Sequence, residues 1–221
     1  MNPLEPTRPA FSHPLALYLA ATRPAFLSVT LAGALIGLGS ASADGLAIDW
    51  AKALLTVLFA LIAHAGANVV NDYHDALNGS DALNQERLFP FTGGSRFIQN
   101  GVLSLRQTRL FGYGLLAVVI PAGLWLTAHS APGLIWIGGV GLLIGWAYSA
   151  PPLQLMARGV GEAAIVAGWL MVVLARISSS AASWPRCRWW RVCRLRCWWP
   201  RFFTSTSSRT CAPMRPPANA R

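Results

Sequence analysis

Charged side chains are scarce in this sequence. They make up 12% of the 221 residues, about half the share that is usual in a soluble domain. Hydrophobic residues account for 54% of the chain. This balance excludes an ordinary soluble enzyme or binding domain and predicts a membrane protein.

Acidic residues are missing altogether after Glu162, although ten arginines follow position 175. Before that position, eight basic residues balance eight acidic ones. All four cysteines and five of the ten tryptophans also lie in the basic tail. We therefore predict an N-terminal segment at 1–14, a membrane domain at 15–176 and a compositionally aberrant tail at 177–221.

Apolar stretches of membrane-spanning length recur along the first part of the chain. A helix that crosses about 30 Å of hydrocarbon needs roughly 20 apolar residues. Five stretches approach that length, at 24–43, 50–70, 110–128, 132–150 and 160–176. The predicted fold is an all-α, polytopic transmembrane helix bundle, followed by a disordered or irregular tail.

The arginines of the membrane domain are unevenly distributed between the connections. They fall before the first stretch, in the 71–109 connection and in the 151–158 connection, whereas the alternate connections have none. Basic residues favour the cytoplasmic side of a membrane. We expect an integral protein of the bacterial inner membrane, with the N-terminus and the 71–109 loop in the cytoplasm.

A cluster of acidic and amide side chains ends the second apolar stretch, in the motif NDYHDALNGSD. Asn68, Asp72 and Asp75 are spaced by four and three residues and share one face of a continuing helix. Carboxylates brought together at a membrane edge are costly unless a cation neutralises them. Such oxygen ligands suit Mg²⁺, and Arg87 and Arg96 follow with side chains that match phosphate. The pattern predicts a clamp for a diphosphate.

Three segments resemble the UbiA-type intramembrane aromatic prenyltransferases, and most nearly their 1,4-dihydroxy-2-naphthoate polyprenyltransferase branch. They are NVVNDYHDALNGSD, LFPFTGGSRFIQNG and GWAYSAPPLQLMARGVGEAA. The resemblance implies a helix bundle around a lipid-accessible cavity. It also implies Mg²⁺-dependent transfer of a polyprenyl group from polyprenyl diphosphate to an aromatic acceptor in menaquinone-like quinone biosynthesis. Its partners are these two substrates and the lipid bilayer, and no nucleic acid is expected.

The resemblance also implies roles for individual residues. Asp72 and Asp75 hold Mg²⁺ on the diphosphate, and Asp81 completes the metal site. The substrate-binding residues are Asn68, Asn71, Arg87, Arg96 and Arg158. Breaking the allylic bond leaves a carbocation, which the ring face of Tyr148 could stabilise.

Blander interpretations exist for each of these features. The aspartates and asparagines could cap a helix and hydrate a loop, Tyr148 could belong to an interfacial aromatic belt, and Arg158 could pair with Glu162. His64 is more simply explained as a packing residue, and for His74 the sequence favours neither a packing nor a functional role. At the level of function, the alternative is a non-enzymatic membrane protein, a small transporter or scaffold, whose acidic loop binds cations.

The tail does not contain the second acidic motif, D-x-x-x-D, that the resemblance implies. Reading its codons in a shifted frame permits aspartate at the Arg209–Thr210 and Pro213–Met214 junctions, four places apart. We therefore interpret the tail as a frameshift product and expect little or no activity from the 221-residue form. The alternative is a genuine Arg/Trp segment that binds anionic membranes or nucleic acid.

Overall fold

Six α-helices make up most of the part of the chain that the structure describes. The structure is a computed structural model, and it describes residues 5–79, 94–131 and 133–180. The helices are α1 (Pro14–Ala21), α2 (Pro24–Ala43), α3 (Trp50–Asn78), α4 (Leu105–Ala128), α5 (Leu134–Ala147) and α6 (Gly161–Ser180). These residues contain no β-strand, so the predicted all-α bundle is confirmed.

Local signals in the sequence fix where several helices begin and end. α1 and α2 start at prolines, whose fixed φ and missing N–H suit a first helical turn. Ser104 and Gln107 form a reciprocal capping box at the start of α4. α3 stops at Gly79, whose φ of +74° is the left-handed conformation that glycine adopts at low cost.

Four helices, α2, α3, α4 and α6, are long and apolar enough to cross a membrane. α5 is apolar but has 14 residues, which cover only about 21 Å. It is shorter than the predicted span at 132–150 because the chain turns back after Ala147. The N–H groups of Leu155 and Met156 donate to the carbonyl oxygens of Ala147 and Tyr148 in that turn. The long apolar helices identify an integral membrane protein.

α3 is the central helix and contacts α2, α4, α5 and α6. Small residues bring these helices close together. A Cβ atom added to Gly112 of α4 would lie 2.9 Å from Cγ2 of Val70. A Cβ atom added to Gly37 of α2 would lie 2.8 Å from the carbonyl oxygen of Val173 in α6. Close packing therefore fixes how α3 lies against α4 and how α2 lies against α6.

A small hydrophobic cluster joins α1 to the segment that precedes α4. Leu17 and Ala21 of α1 are buried against Phe97, Val102 and Leu103. The amino-terminal residues hold the same segment, because Nδ2 of Asn100 donates to the carbonyl oxygen of Pro6 at 3.0 Å and to Oε2 of Glu5 at 3.3 Å. The 94–104 segment is thereby fixed beside the end of α3 that carries the aspartates.

Candidate functional site

A cavity of about 580 Å³ lies between α2, α3, α4, α5 and α6. Its wall is mainly apolar, with small residues such as Gly138 and Gly168 where the helices leave room. Asn68, Asn71 and Tyr148 line it at the end where the aspartates of α3 lie, here called the aspartate end. The bundle therefore contains an apolar chamber with polar groups at one end, which suits a long hydrocarbon that carries a polar head.

Asp72 is buried at this end, with 4% of its surface exposed. The backbone N–H of Ser95 donates to its Oδ1 atom at 3.1 Å. Nη1 of Arg23 lies 4.0 Å from the same oxygen, and the Arg23 guanidinium stacks over Phe26 at 4.6 Å. A carboxylate in such surroundings is stabilised by a backbone donor and a cation and keeps a defined orientation.

Asp75 is also buried, one turn further along α3. Nδ2 of Asn71 donates to its Oδ2 atom at 2.8 Å, the pairing that a four-residue spacing permits. Nδ2 of Asn68 donates instead to the carbonyl oxygen of Thr22 and ties α3 to the end of α1. Since α3 continues to Asn78 and is capped by Gly79, Asp72 and Asp75 neither cap it nor hydrate a loop.

Asn68, Asn71, Asp72 and Asp75 of this site belong to the first of the three segments that resemble a family. A model of the UbiA prenyltransferase family matches residues 16–207. The chain belongs to the UbiA prenyltransferase family. The UbiA match covers most of α1 and all of α2 to α6, and it runs past the predicted domain boundary at residue 176 into the tail.

Three curated relatives match the chain, and each is named 1,4-dihydroxy-2-naphthoate octaprenyltransferase. The Mycobacterium tuberculosis protein is 30% identical over 150 residues, which cover 68% of this chain and 49% of that protein. The Escherichia coli protein is 26% identical over 164 residues, which cover 71% of this chain and 51% of that protein. The chain therefore spans about half the length of the curated relatives it matches. No solved structure matches it significantly.

The oxygen atoms at the aspartate end fit a magnesium ion chemically. Mg²⁺ usually takes one or two carboxylates and completes its shell with water and substrate phosphate oxygens. Asp72 and Asp75 supply such a pair on one face of α3. Within the described part of the chain, no group of three or more His, Cys, Asp or Glu side chains could enclose a metal. The pair thus fits an open site that shares its metal with a substrate.

The other predicted residues have different positions. Tyr148 lines the chamber, and its ring lies beside the start of α6, with Cε2 3.4 Å from the position that a Cβ of Gly161 would take. Arg96 is half-buried next to Ser95, in the loop that holds Asp72. Asp81 and Arg87 lie outside the described residues.

Arg158 is exposed and does not form the Glu162 pair that its spacing allowed. Its Nη2 atom donates to the carbonyl oxygen of Pro152 at 2.9 Å. The ion pairs found among the described residues are those of Arg23 with Asp72 and of Lys52 with Asp49. Arg158 therefore stabilises the turn between α5 and α6 in this structure.

Two groups that orient Asp72 were missed by the sequence analysis, the Arg23 side chain and the Ser95 N–H. Arg23 counted there only as a positive charge before a span. Its position before Pro24 gave no usable signal, because the residue before a proline is expected to be extended, whereas Arg23 has a φ of +59°. Ser95 offered no signal, because any residue except proline could supply the same N–H.

Proposed function

We propose that the complete protein transfers a polyprenyl group from polyprenyl diphosphate to an aromatic acceptor, in menaquinone-like quinone biosynthesis and with Mg²⁺. One observation carries this proposal: the buried Asp72 and Asp75 lie on α3 at the polar end of an apolar chamber of about 580 Å³. Family membership and the names of the curated relatives support the same chemistry.

Each part of the site has a role in this reaction. Asp72 and Asp75, with Asp81, would hold Mg²⁺, which when bound stabilises the negative charge that develops on the leaving diphosphate. Arg23 and the Ser95 N–H orient Asp72, and Asn71 orients Asp75. The apolar wall keeps water away from the allylic carbocation.

Further residues complete the proposed roles. Tyr148 lines the chamber, where its ring face could stabilise the carbocation. Arg87 and Arg96 are proposed to contact the diphosphate or to order their loop, and Asn68 to position the polar end of the substrate. Arg158 would have to leave Pro152 to reach a substrate, so its proposed contact requires movement of the turn.

The membrane orientation is also part of the proposal. Polyprenyl diphosphates carry a charged head that stays in water, so the aspartate end should face the compartment that supplies them. The arginine distribution supports a bacterial inner membrane with the N-terminus and the aspartate end in the cytoplasm. A cysteine-accessibility scan with an impermeant thiol reagent on spheroplasts would test it, through labelling at introduced cysteines in the connections.

We also propose that the 177–221 tail is read out of frame and that the 221-residue form is impaired. Its lack of acidic residues and its Arg, Trp and Cys content support this. The family match continues to residue 207, so the boundary at 176 stays a prediction. Sequencing the gene through the codons for residues 170–185 tests the frame, and an intact frame would refute the idea.

A transfer assay tests the proposed activity. Membranes carrying the chain with its frame restored should convert labelled polyprenyl diphosphate and 1,4-dihydroxy-2-naphthoate to a prenylated product when Mg²⁺ is present. Asp72→Asn and Asp75→Asn should each abolish conversion. Asp49→Asn is the matched control, since Asp49 caps the opposite end of α3 and asparagine caps helices equally well.

The same membranes distinguish the alternative of a cation-binding transporter or scaffold. An enzyme releases diphosphate in step with product, whereas a transporter would show neither. Absence of product and of diphosphate release from the frame-restored chain, with the protein present and folded, would reject the enzyme.

A further inference from the structure

One polar pair lies in the apolar part of the chamber, away from the aspartate end. Oγ1 of Thr30 in α2 lies 2.7 Å from Nδ1 of His64 in α3, and both residues line the chamber. His64 precedes Asn71 by seven residues, so the two share a face of α3 and His64 lies about 10 Å deeper. A histidine at this depth is expensive to bury and calls for a specific partner.

The hydrogen bond to Thr30 determines what the histidine offers to the chamber. The other threonines of the wall, Thr56 and Thr127, donate to carbonyl oxygens of their own helices. Thr30 has no such bond among the contacts found, so its hydroxyl is available to donate to Nδ1 of His64. The proton of the neutral imidazole then lies on Nε2.

The reverse arrangement is less favourable. If Nδ1 donated to Thr30, both the hydroxyl proton of Thr30 and the lone pair on Nε2 would lack a partner. Among the described residues, Nε2 of His64 has no hydrogen-bond partner in either case. The arrangement with fewer unsatisfied groups leaves an N–H donor on the ring edge opposite Thr30, in the wall of an apolar chamber.

We infer that His64, held by Thr30, is a specificity-determining residue that donates a hydrogen bond from Nε2 to an oxygen on the aromatic acceptor. This rests on the proposed function. A polyprenyl chain is a hydrocarbon and has no acceptor atom for this donor. A phenolic or quinol acceptor has ring oxygens, and the depth of about 10 Å below Asn71 is comparable with the long axis of a substituted two-ring aromatic.

A matched pair of probes tests the inference by binding alone. 1-Naphthol and 1-methylnaphthalene have similar size and differ in one oxygen. Their dissociation constants for the detergent-solubilised 221-residue chain can be measured by displacement of a fluorescent naphthalene. The ratio of the two constants is compared between variants, so that partitioning into detergent cancels.

The wild-type chain should prefer 1-naphthol, and His64→Leu should reduce that preference about five- to tenfold, the usual value of one neutral hydrogen bond. His64→Gln retains a donor and should restore part of it. Thr30→Val should reduce the preference less than His64→Leu, since it only frees the ring. Thr127→Val is the control, because its hydroxyl is already bonded within α4, and should leave the ratio unchanged.

Several results would overturn the inference. They are an equal ratio in the wild-type chain and His64→Leu, or no preference for 1-naphthol in the wild type. If His64→Leu fails to fold, as a thermal scan would show, Thr30→Val decides the question, and an unchanged ratio there refutes the inference. Transfer by the frame-restored chain is assayed separately. If the frame-restored chain shows no transfer although the preference for 1-naphthol is observed, the proposed function is rejected. If it shows transfer but the preference for 1-naphthol is absent, this inference is rejected.

Discussion

The backbone N–H of Ser95 donates to Oδ1 of Asp72 at 3.1 Å, so a loop that lies 23 residues further along the chain orients a buried carboxylate of α3. The side chain of Arg23, the residue just before α2, lies near the same oxygen. The aspartate end therefore depends on three segments that are distant in sequence.

Replacing Ser95 by proline should weaken the site without removing a functional side chain. Proline has no N–H, and the loss of one hydrogen bond to a buried carboxylate costs about 1.5–3 kcal/mol. Transfer by the frame-restored chain should fall about tenfold or more. Ser95→Ala keeps the N–H and should retain activity. Equal activity of the two variants would contradict the role given to this hydrogen bond.

Replacing Arg23 by glutamine should destabilise the chain through Asp72. The side chain of Arg23 is 15% exposed, so the buried carboxylate loses a cation that is only partly screened by solvent. We expect a loss of about 1–3 kcal/mol in the free energy of unfolding, measured by denaturant titration in detergent. Asp72→Asn should offset part of this loss when both changes are combined, because no charge is then left alone.

Arg158→Gln is the control for that experiment, since Arg158 is exposed and bonded within its own turn. It should change the free energy of unfolding by less than about 0.5 kcal/mol. Strict additivity of Arg23→Gln and Asp72→Asn would show that the two side chains do not interact.

Gly112 and Gly114 form a matched pair on α4. A Cβ on Gly112 would lie 2.9 Å from Cγ2 of Val70 and 3.1 Å from its backbone nitrogen, whereas a Cβ on Gly114 would meet nothing within 4 Å. Gly112→Ala should cost about 1–3 kcal/mol through overpacking. Gly114→Ala should be neutral or stabilising, because alanine favours a helix. Thermal unfolding of the two variants tests whether α3 and α4 pack as described.

Asp49, at the other end of α3, should make the stability of the fold depend on pH. Its side chain accepts a hydrogen bond from the N–H of Lys52 at 3.1 Å, and this bond holds the pKa of Asp49 below the ordinary aspartate value. A lowered pKa stabilises the fold above the unfolded-state pKa of about 4, and that contribution is lost as the pH falls through the folded-state pKa. Asp49→Ala should therefore lower the Tm at pH 7, and the difference from wild type should shrink below pH 4.

Magnesium should stabilise the frame-restored chain if the aspartates bind it. A ligand that binds only the folded state at 100 times its Kd contributes about 2.7 kcal/mol. Adding Mg²⁺ should raise the Tm of the wild type, and EDTA should reverse the rise. Neither reagent should affect the Asp72→Asn/Asp75→Asn double variant. An equal rise in both proteins would place the metal elsewhere.

The four spanning helices could be predicted from the sequence because each is a long apolar run. The predicted ends were less accurate. The apolar stretch at 50–70 ends before α3 does, because the helix continues through the motif to Asn78, with Asp72, His74 and Asp75 buried. α5 is shorter than predicted, since an apolar composition alone does not show where the backbone turns.

The face shared by Asp72 and Asp75 followed from spacing, whereas their partners did not. The helical period relates residues three or four positions apart, and the Asn71–Asp75 bond obeys it. Arg23 and Ser95 reach Asp72 only through the tertiary packing of α1 and the 94–104 segment. α1 was also not predicted, because its eight residues are too few to register as a span.

The bonds from Asn100 to Glu5 and Pro6 connect the amino-terminal residues to the loop beside the aspartate end. Asn100 belongs to the same short loop as Ser95, which orients the carboxylate of Asp72. Loss of the bonds at Glu5 and Pro6 should therefore loosen the loop and the orientation of that carboxylate. Affinity tags and truncations at this terminus would therefore change catalytic measurements while leaving every motif residue intact. A carboxyl-terminal tag on the frame-restored chain avoids this artefact.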